Sequence, residues 1–513
     1  MTDDVEKAAV ALKESGNSSD EKSKNARNAI RDSIGAAIGE RQSLHCSKEY
    51  TMSTWYRNLR LFGLLCAIWV LPKSLSAEDT RPRLIIETDA GGDPDDEQSL
   101  VRFLVYANEF DIEGIIANRP AARDGENKNP VRDGLGIVRA MINAYGECYP
   151  NVAKHDARFP IPQLLSERTV AGYNDIHDGV NLIIRAVDAD DTRPVWFSNW
   201  GTDNGAAESC LKRALDHVQR ERGPEGYAKF KGRLRLSSAD KFGDHTAKIE
   251  PPFPFWLNAS HPPLDGKRWY HRFSALTATA GGFGIERDVR TNHGSLGKLY
   301  PVNTGLRQKE GDTMMFLYLV LTGMNDPLEP TWGSWGGRYG LDESHAKRQY
   351  FWANQADTWH GTTHRDNTLA RWAVALQNDF AARMDWCVAD SYTKANHTPV
   401  AILNDDKTKN ILQLTALSGD EVKLSAIGST DPDGNDVTLN WFIYQEAGTF
   451  NSDVTLSQST GTFTTLIAPL VAQPRTIHVI LEAEDNGEPR LRSYRRSIIT
   501  VSPKVAGLVP THK

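Results

Sequence analysis

The stretch Leu84-Ile-Ile-Glu-Thr-Asp-Ala-Gly-Gly-Asp-Pro-Asp-Asp-Glu97 decides how this chain is read. Leu84-Ile-Ile86 is a short continuous apolar run, the pattern of a strand buried on both faces. Ser99-Leu-Val-Arg-Phe-Leu-Val-Tyr106 carries apolar residues at helical spacing. The acidic segment between them therefore joins the carboxyl end of a strand to a helix, the position where α/β sheets gather ligands. It holds Asp89, Asp93, Asp95 and Asp96. Carboxylates this close repel unless a cation neutralises them, and hard oxygen ligands suit Ca²⁺ or Mg²⁺. Gly91-Gly92 permits a tight backbone path. Asp-Pro-Asp-Asp is also good helix-capping chemistry, so the loop alone leaves a metal site and a helix cap both open.

Outward from this loop the same alternation continues. Residues 112–117, 195–197 and 234–237 read as strands, and 131–145, 180–187 and 206–220 as helices. A long amphipathic helix is expected over 367–387. Strand and helix in turn imply a mostly parallel, doubly wound sheet covered by helices. After Asn396 the period changes. Short alternating runs (422–426, 437–444, 477–483) are separated by turn clusters at 431–436 and 484–489. That texture predicts an all-β, immunoglobulin-like sandwich. Two separately folding domains are expected, 80–392 and 396–503, linked by Asn396-His-Thr-Pro399.

Composition narrows the function. The 513 residues include 59 Lys or Arg and 66 Asp or Glu, a net charge of −7, with 40% hydrophobic residues. This is a globular profile, and a net-acidic chain without a basic block predicts no nucleic-acid partner. Residues 1–51 are polar and read as a disordered extension or as sequence ahead of the true start. Residues 52–77 follow the plan of a signal peptide: Met52, basic Arg57 and Arg60, an apolar run over 61–71 and a small-residue site ending at Ala77. The run is too short to span a bilayer comfortably. A secreted or periplasmic protein with no stable membrane span after cleavage is expected. Cys148, Cys210 and Cys387 remain, too few for a disulfide framework.

The acidic loop resembles the opening motif of the inosine-uridine nucleoside hydrolase superfamily, a strand followed by Asp-Thr-Asp-Pro-Gly-x-Asp-Asp and a helix. Here Glu87 stands for the first Asp, Ala90 for the Pro, and two residues are extra. Thr-Asp-x-Gly-Gly-Asp-Pro-Asp-Asp-x-x-Ser-Leu-x-Arg-Phe-Leu is more closely similar to a bacterial cellulose-binding family with a nucleoside-hydrolase-like domain and a C-terminal sandwich. Three further segments fit: Asn118 at the end of 112–118, the loop Asn199-Trp-Gly-Thr-Asp-Asn204, and Met324-Asn-Asp-Pro327. The resemblance implies a Ca²⁺ site with Asp95, Asp96 and Asp326 as ligands and Asp89 as general base. Asp93, among the extra residues, fits either role. Asn118, Asn199, Trp200 and Asn204 would contact substrate. Asn325 stands where part of the superfamily has a His tied to leaving-group protonation, which weakens purine-nucleoside hydrolysis in particular. His245 and His293 are other acids, each more simply read as an ordinary polar residue.

In Trp332-Gly-Ser-Trp-Gly-Gly-Arg-Tyr339, Trp332, Trp335 and Arg338 read either as sugar contacts or as a Gly-rich turn with buried Trp. Trp352, Trp359, Trp372 and Trp386 favour core packing. The implied function is a secreted, Ca²⁺-dependent hydrolase of N-glycosyl or related glycosyl bonds, with a carbohydrate or nucleoside-like partner, cellulose included. The alternative is a non-catalytic carbohydrate-binding protein on the same fold. A chain started at Met52 should be exported and trimmed near Ala77. Intact-mass measurement checks this, and secreted material still carrying residues 1–51 would contradict it.

Overall fold

All six residues of β1 (Arg83–Thr88) are buried, as the centre of a parallel sheet requires. The computed structural model describes residues 81–173, 177–201, 209–238, 253–259, 282–302, 308–345 and 347–504. Within it β1 is followed by α1 (Asp95–Val105), β2 (Asp111–Ala117), α2 (Gly134–His155), β3 (Thr169–Ala171) and α3 (His177–Asp188). Next come β4 (Val195–Asn199), α4 (Cys210–Gly232), β5 (Leu234–Ser238), β6 (Phe255–Asn258), β7 (Gly340–Leu341) and β8 (Gln349–Trp352). These strands form one sheet in the order β3-β2-β1-β4-β5-β6-β8-β7, parallel except for β7 against β8. The strand order reverses between β1 and β4, which opens a crevice at their carboxyl ends.

Both faces of the sheet are covered. Leu84 and Ile86 pack with α1, α2 and α5 (Ala373–Trp386), while Ile85 faces α3 and α4. Caps set several helix starts. Asp133 accepts from the Gly136 amide and Ser209 from the Lys212 amide. The helix expected over 367–387 is interrupted. A short helical turn, Asn367–Ala370, precedes α5, and Trp372 stands between them as the N-cap of α5. Its ring packs against Phe442, Tyr444 and Tyr494 of the C-terminal region, so tertiary packing overrides the local period.

A hairpin-like pair, β9 (Asp357–Trp359) with β10 (Thr362–His364), precedes α5, and the β-rich region follows it. Its strands are β11 (Leu412–Leu417), β12 (Glu421–Ser425), β13 (Val437–Ile443), β14 (Phe463–Ile467), β15 (Arg475–Asp485) and β16 (Arg492–Ser502). They pair as β11-β16-β15-β13 and β12-β14, around Leu424, Trp441, Leu466, Val479, Leu481 and Ile499. This is the immunoglobulin-like sandwich that the alternating pattern predicts.

Tyr444, Ile480 and Tyr494 of the sandwich belong to the same hydrophobic cluster as α1 and α2. Glycines make the close approach possible. A Cβ on Gly323 would lie 1.9 Å from the Tyr494 carbonyl oxygen, and one on Gly333 2.6 Å from the Tyr444 hydroxyl. Buried Arg496 donates to the carbonyls of Met324 (2.5 Å) and Trp332 (2.8 Å) and to His478 Nδ1 (2.7 Å). Fully buried Asp357 accepts from Arg338 (2.7 Å), Arg371 (3.1 Å) and the Tyr444 hydroxyl (2.6 Å). Among the described residues no helix is long and apolar enough to cross a membrane.

One tie matters most for the crevice. Arg102 on α1 and Glu310 are both fully buried and pair at 2.6 Å. Replacing Arg102 with Met should leave Glu310 uncompensated and cost about 3–5 kcal/mol, read as a lower midpoint in urea. The double variant Arg102→Met/Glu310→Leu should recover much of that loss. The joint is expected to be acid-sensitive as well. Burial, and then the adjacent Arg496 charge, push the His478 imidazole down to about 3. Below pH ~6.5 the unfolded chain takes up a proton that the folded chain refuses, so stability falls toward pH 3, by up to about 1.4 kcal/mol per pH unit. His478→Gln should flatten this acid slope in pH-dependent melts.

Candidate metal centre in the β1–β4 crevice

The loop after β1 is shaped by its own backbone. The Gly92 amide donates to the Asp89 carbonyl at 2.9 Å, and Gly91 adopts φ +98°, a left-handed conformation that favours glycine. The Ala90 amide donates to Thr88 Oγ1 (3.1 Å), and that hydroxyl donates to Asp96 Oδ1 (2.5 Å). Thr88 thus orients the Asp96 carboxylate from below. At the end of β4 the backbone comes close: a Cβ on Gly201 would lie 2.5 Å from Asp89 Oδ1. Asn118, just after β2, donates from Nδ2 to the Gly201 carbonyl at 2.5 Å and from its amide to the Thr88 carbonyl. The ends of β1, β2 and β4 are thereby tied into one rim.

Carboxylate oxygens of Asp95, Asp96 and Asp312 lie within 4.8 Å of one another. Asp312 arrives from more than 200 positions downstream because α1 grips its segment. Gln98 Oε1 accepts from the amides of Lys309 (2.7 Å) and Glu310 (3.1 Å), Arg102 pairs with Glu310, and the Ser99 and Thr313 hydroxyls are hydrogen-bonded at 3.1 Å. Tyr300, Gln308 and Thr313 also donate to the Glu310 carboxylate.

The electrostatics follow from burial. Desolvation, and then the charge of Asp89, raise the Asp95 carboxyl to about 7. Burial, then Asp312, Asp89 and Asp95, hold Asp96 well above the usual carboxylate range, against the Thr88 hydrogen bond. Such a trio takes up protons or a cation. All-oxygen donors with two of three carboxylates buried fit a hard divalent ion such as Ca²⁺. The donor set therefore suits the expected metal.

The expected residues fall into distinct places. Asp89 is half-buried beside the trio, with Arg119 Nη2 3.9 Å away. Asp93 turns toward Lys309, with which it forms an ion pair. Asp326 does not join the trio. Its Oδ1 accepts from the Leu328 amide in its own turn (2.9 Å), and its charge acts on Tyr318 and Glu329. Asp312 takes the third place, and the residue before it, Gly311, carries no proton donor. Asn325 is structural: Nδ2 donates to the Tyr318 carbonyl (2.9 Å), and Oδ1 accepts from Thr322.

Asn118 and Asn199 are buried at the rim, each with an Oδ1 that has no hydrogen-bond partner among the described residues. Asn199 Nδ2 donates to Glu87 (3.0 Å), whose carboxyl burial raises to about 7. Trp200 is core, donating to Ser198 Oγ and packing edge-on against Phe103. Asn204 and His245 lie outside the described residues. Trp332 meets His478 edge-on, Trp335 is buried against Tyr494, and Arg338 is spent on Asp357, Gln355 and the Ala356 carbonyl. That segment builds the joint with the sandwich. Trp372 and Trp386 are buried and Trp352 and Trp359 half-buried, and His293 is held by Asp385 at 3.0 Å.

Asp312, Lys309, Thr88 and Arg119 escaped the sequence reading. The signal for Asp312 is Glu310-Gly-Asp-Thr313 directly before the apolar run 314–320: paired acids flanking a glycine, late in the α/β region.

Comparison with known proteins places this geometry. The family described as "Cellulose-binding Sde182, nucleoside hydrolase-like domain" matches residues 83–339, and "Cellulose-binding protein Sde0182, C-terminal domain" matches residues 421–501. No curated protein matches. Among solved structures, a nucleoside hydrolase-related hypothetical protein from Saccharophagus degradans, described as associated with carbohydrate metabolism, is 31% identical. It aligns over 82% of this chain and 100% of its own, with a TM-score of 0.62. A PKD domain from KIAA 1837 protein (19% identity, 18% of this chain, 82% of its own, TM-score 0.15) and mouse clustered PcdhgC3 EC1-3 (16%, 18%, 30%, 0.11) match only weakly. This chain belongs to the cellulose-binding Sde182 family, with its nucleoside hydrolase-like domain followed by its C-terminal domain.

Proposed function

We propose that this protein is an extracellular, Ca²⁺-dependent hydrolase of N-glycosyl or related glycosyl bonds in a carbohydrate substrate. The observation that carries the reading is the convergence of Asp95, Asp96 and Asp312 beside Asp89 at the strand-order reversal. Asp95, Asp96 and Asp312 would hold the ion, which when bound supplies positive charge that lowers the pKa of a water and orients sugar hydroxyls. Thr88 keeps Asp96 turned toward the other two. Asp89, outside the trio, accepts the proton of the attacking water. The rim amides Asn118 and Asn199, whose Oδ1 atoms have no partner among the described residues, would turn toward sugar hydroxyls when substrate binds. Positive charge that develops on the sugar, as in glycoside hydrolysis generally, faces a strongly acidic wall. The family description and the carbohydrate association of the Saccharophagus protein support a saccharide partner and an extracellular setting.

The second reading, a carbohydrate-binding protein without turnover, draws on Arg119 beside Asp89 and on Gly311 before Asp312. A guanidinium beside the base competes with water for its carboxylate, and a glycine side chain protonates no leaving group.

Thermal melts with calcium and with chelator, alongside a panel of nucleosides and oligosaccharides, separate the readings. Calcium should stabilise the wild type, by about 2.7 kcal/mol at one hundred times its Kd. Asp312→Asn should abolish most of that gain, whereas Asp326→Asn should leave it intact. Asp89→Asn should keep most of the calcium response and lose turnover on the order of 10²- to 10⁴-fold. A wild-type melting temperature indifferent to calcium would remove the metal reading. Calcium binding without turnover on any substrate would favour the binding protein.

A further inference from the structure

The segment that delivers Asp312 to the crevice also delivers a cation. Lys309 is held by its own amide, which donates to Gln98 Oε1 at 2.7 Å, and by the Arg102–Glu310 pair one residue on. Its ammonium pairs with Asp93 and stands 3.9 Å from Asp95 Oδ2, with the side chain 19% exposed. The charges of Asp312 and Asp89 reach it too. A flexible surface lysine would wander between partners. This one has a fixed root, and its tip lies against a member of the trio.

We infer that Lys309 is a tethered counter-ion of the acidic crevice, one that a divalent ion must displace from Asp95 before it can bind. The inference rests on the reading of Asp95, Asp96 and Asp312 as a metal site. Asp89, Asp93, Asp95, Asp96 and Asp312 gather here, Lys309 pairs with Asp93, and Arg119 lies 3.9 Å from Asp89. Without a divalent ion the ammonium relieves the repulsion between the loop and the Asp312 segment. With one, a positive charge within about 4 Å of a ligand oxygen opposes the ion through little intervening water. Lys309 therefore trades affinity for order in the ion-free state. It sets the site near the weak range of extracellular calcium modules, Kd about 10⁻⁴–10⁻³ M, where binding follows the external calcium concentration.

The test uses the whole protein and calcium alone, with titration calorimetry and melts in chelator and in calcium. Lys309→Met should melt lower than wild type in chelator, bind calcium about tenfold tighter or more, and gain more from calcium. Lys309→Arg should retain the wild-type pattern, and Lys309→Gln offers a polar neutral variant should the Met variant fold poorly. Calcium binding in the neutral variants with none in wild type would overturn the inference, since the natural site would then hold no ion for the lysine to weaken. Wild-type binding with unchanged or weaker binding in both neutral variants would overturn it and leave the metal reading standing. No calcium binding in any of them would overturn both.

Discussion

The ion pair between Arg102 and Glu310 is the constraint on which the crevice depends. Both side chains are fully buried, so each charge has surrendered its water and recovers the loss only through its partners. Arg102 also donates to Gln377 Oε1 at 2.7 Å and lies over the Phe380 ring at 3.8 Å. Glu310 collects hydrogen bonds from Tyr300, Gln308 and Thr313. One turn of α1 thereby clamps a segment from far along the chain. The first turn of the same helix carries Asp95 and Asp96. A single rigid helix thus fixes both halves of the acidic trio relative to each other.

A second set of buried charges joins the α/β sheet to the sandwich. Arg496 satisfies carbonyls of Met324 and Trp332, and Asp357 gathers Arg338, Arg371 and Tyr444. This explains the Gly-rich aromatic segment 332–339. Its glycines admit Tyr444 and neighbouring backbone, and its arginine serves a buried carboxylate. Aromatic residues and glycines suit a sugar site and a tight joint equally well, and composition cannot choose between them. The crevice, in contrast, is rimmed among the described residues by amides, hydroxyls and carboxylates, with Arg119 and Lys309 beside them.

Much of the molecule was legible in the sequence. The apolar runs around Ile85 and Phe197, with helical spacing between them, dictate a parallel sheet because only strands covered on both faces are so uniformly apolar. The change to alternating residues after Asn396 dictates the sandwich. The acidic loop marks the strand end as a cation site or a helix cap, since its four Asp lie within eight residues of one another. The family resemblance rested on those same local features. Tertiary structure alone decided which distant acid completes the trio. Asp326 and Asp312 are both late aspartates, and local context favours Asp326, which precedes a proline. Asp326 is turned into its own loop, whereas Asp312 is pulled in by contacts from Gln98, Ser99 and Arg102 to residues 309, 310 and 313. Lys309 comes with it for the same reason. Chain neighbours carry their chemistry in the sequence itself. Residues more than 200 positions apart meet only because a buried charge must find its partner, and that choice is made in the packed interior.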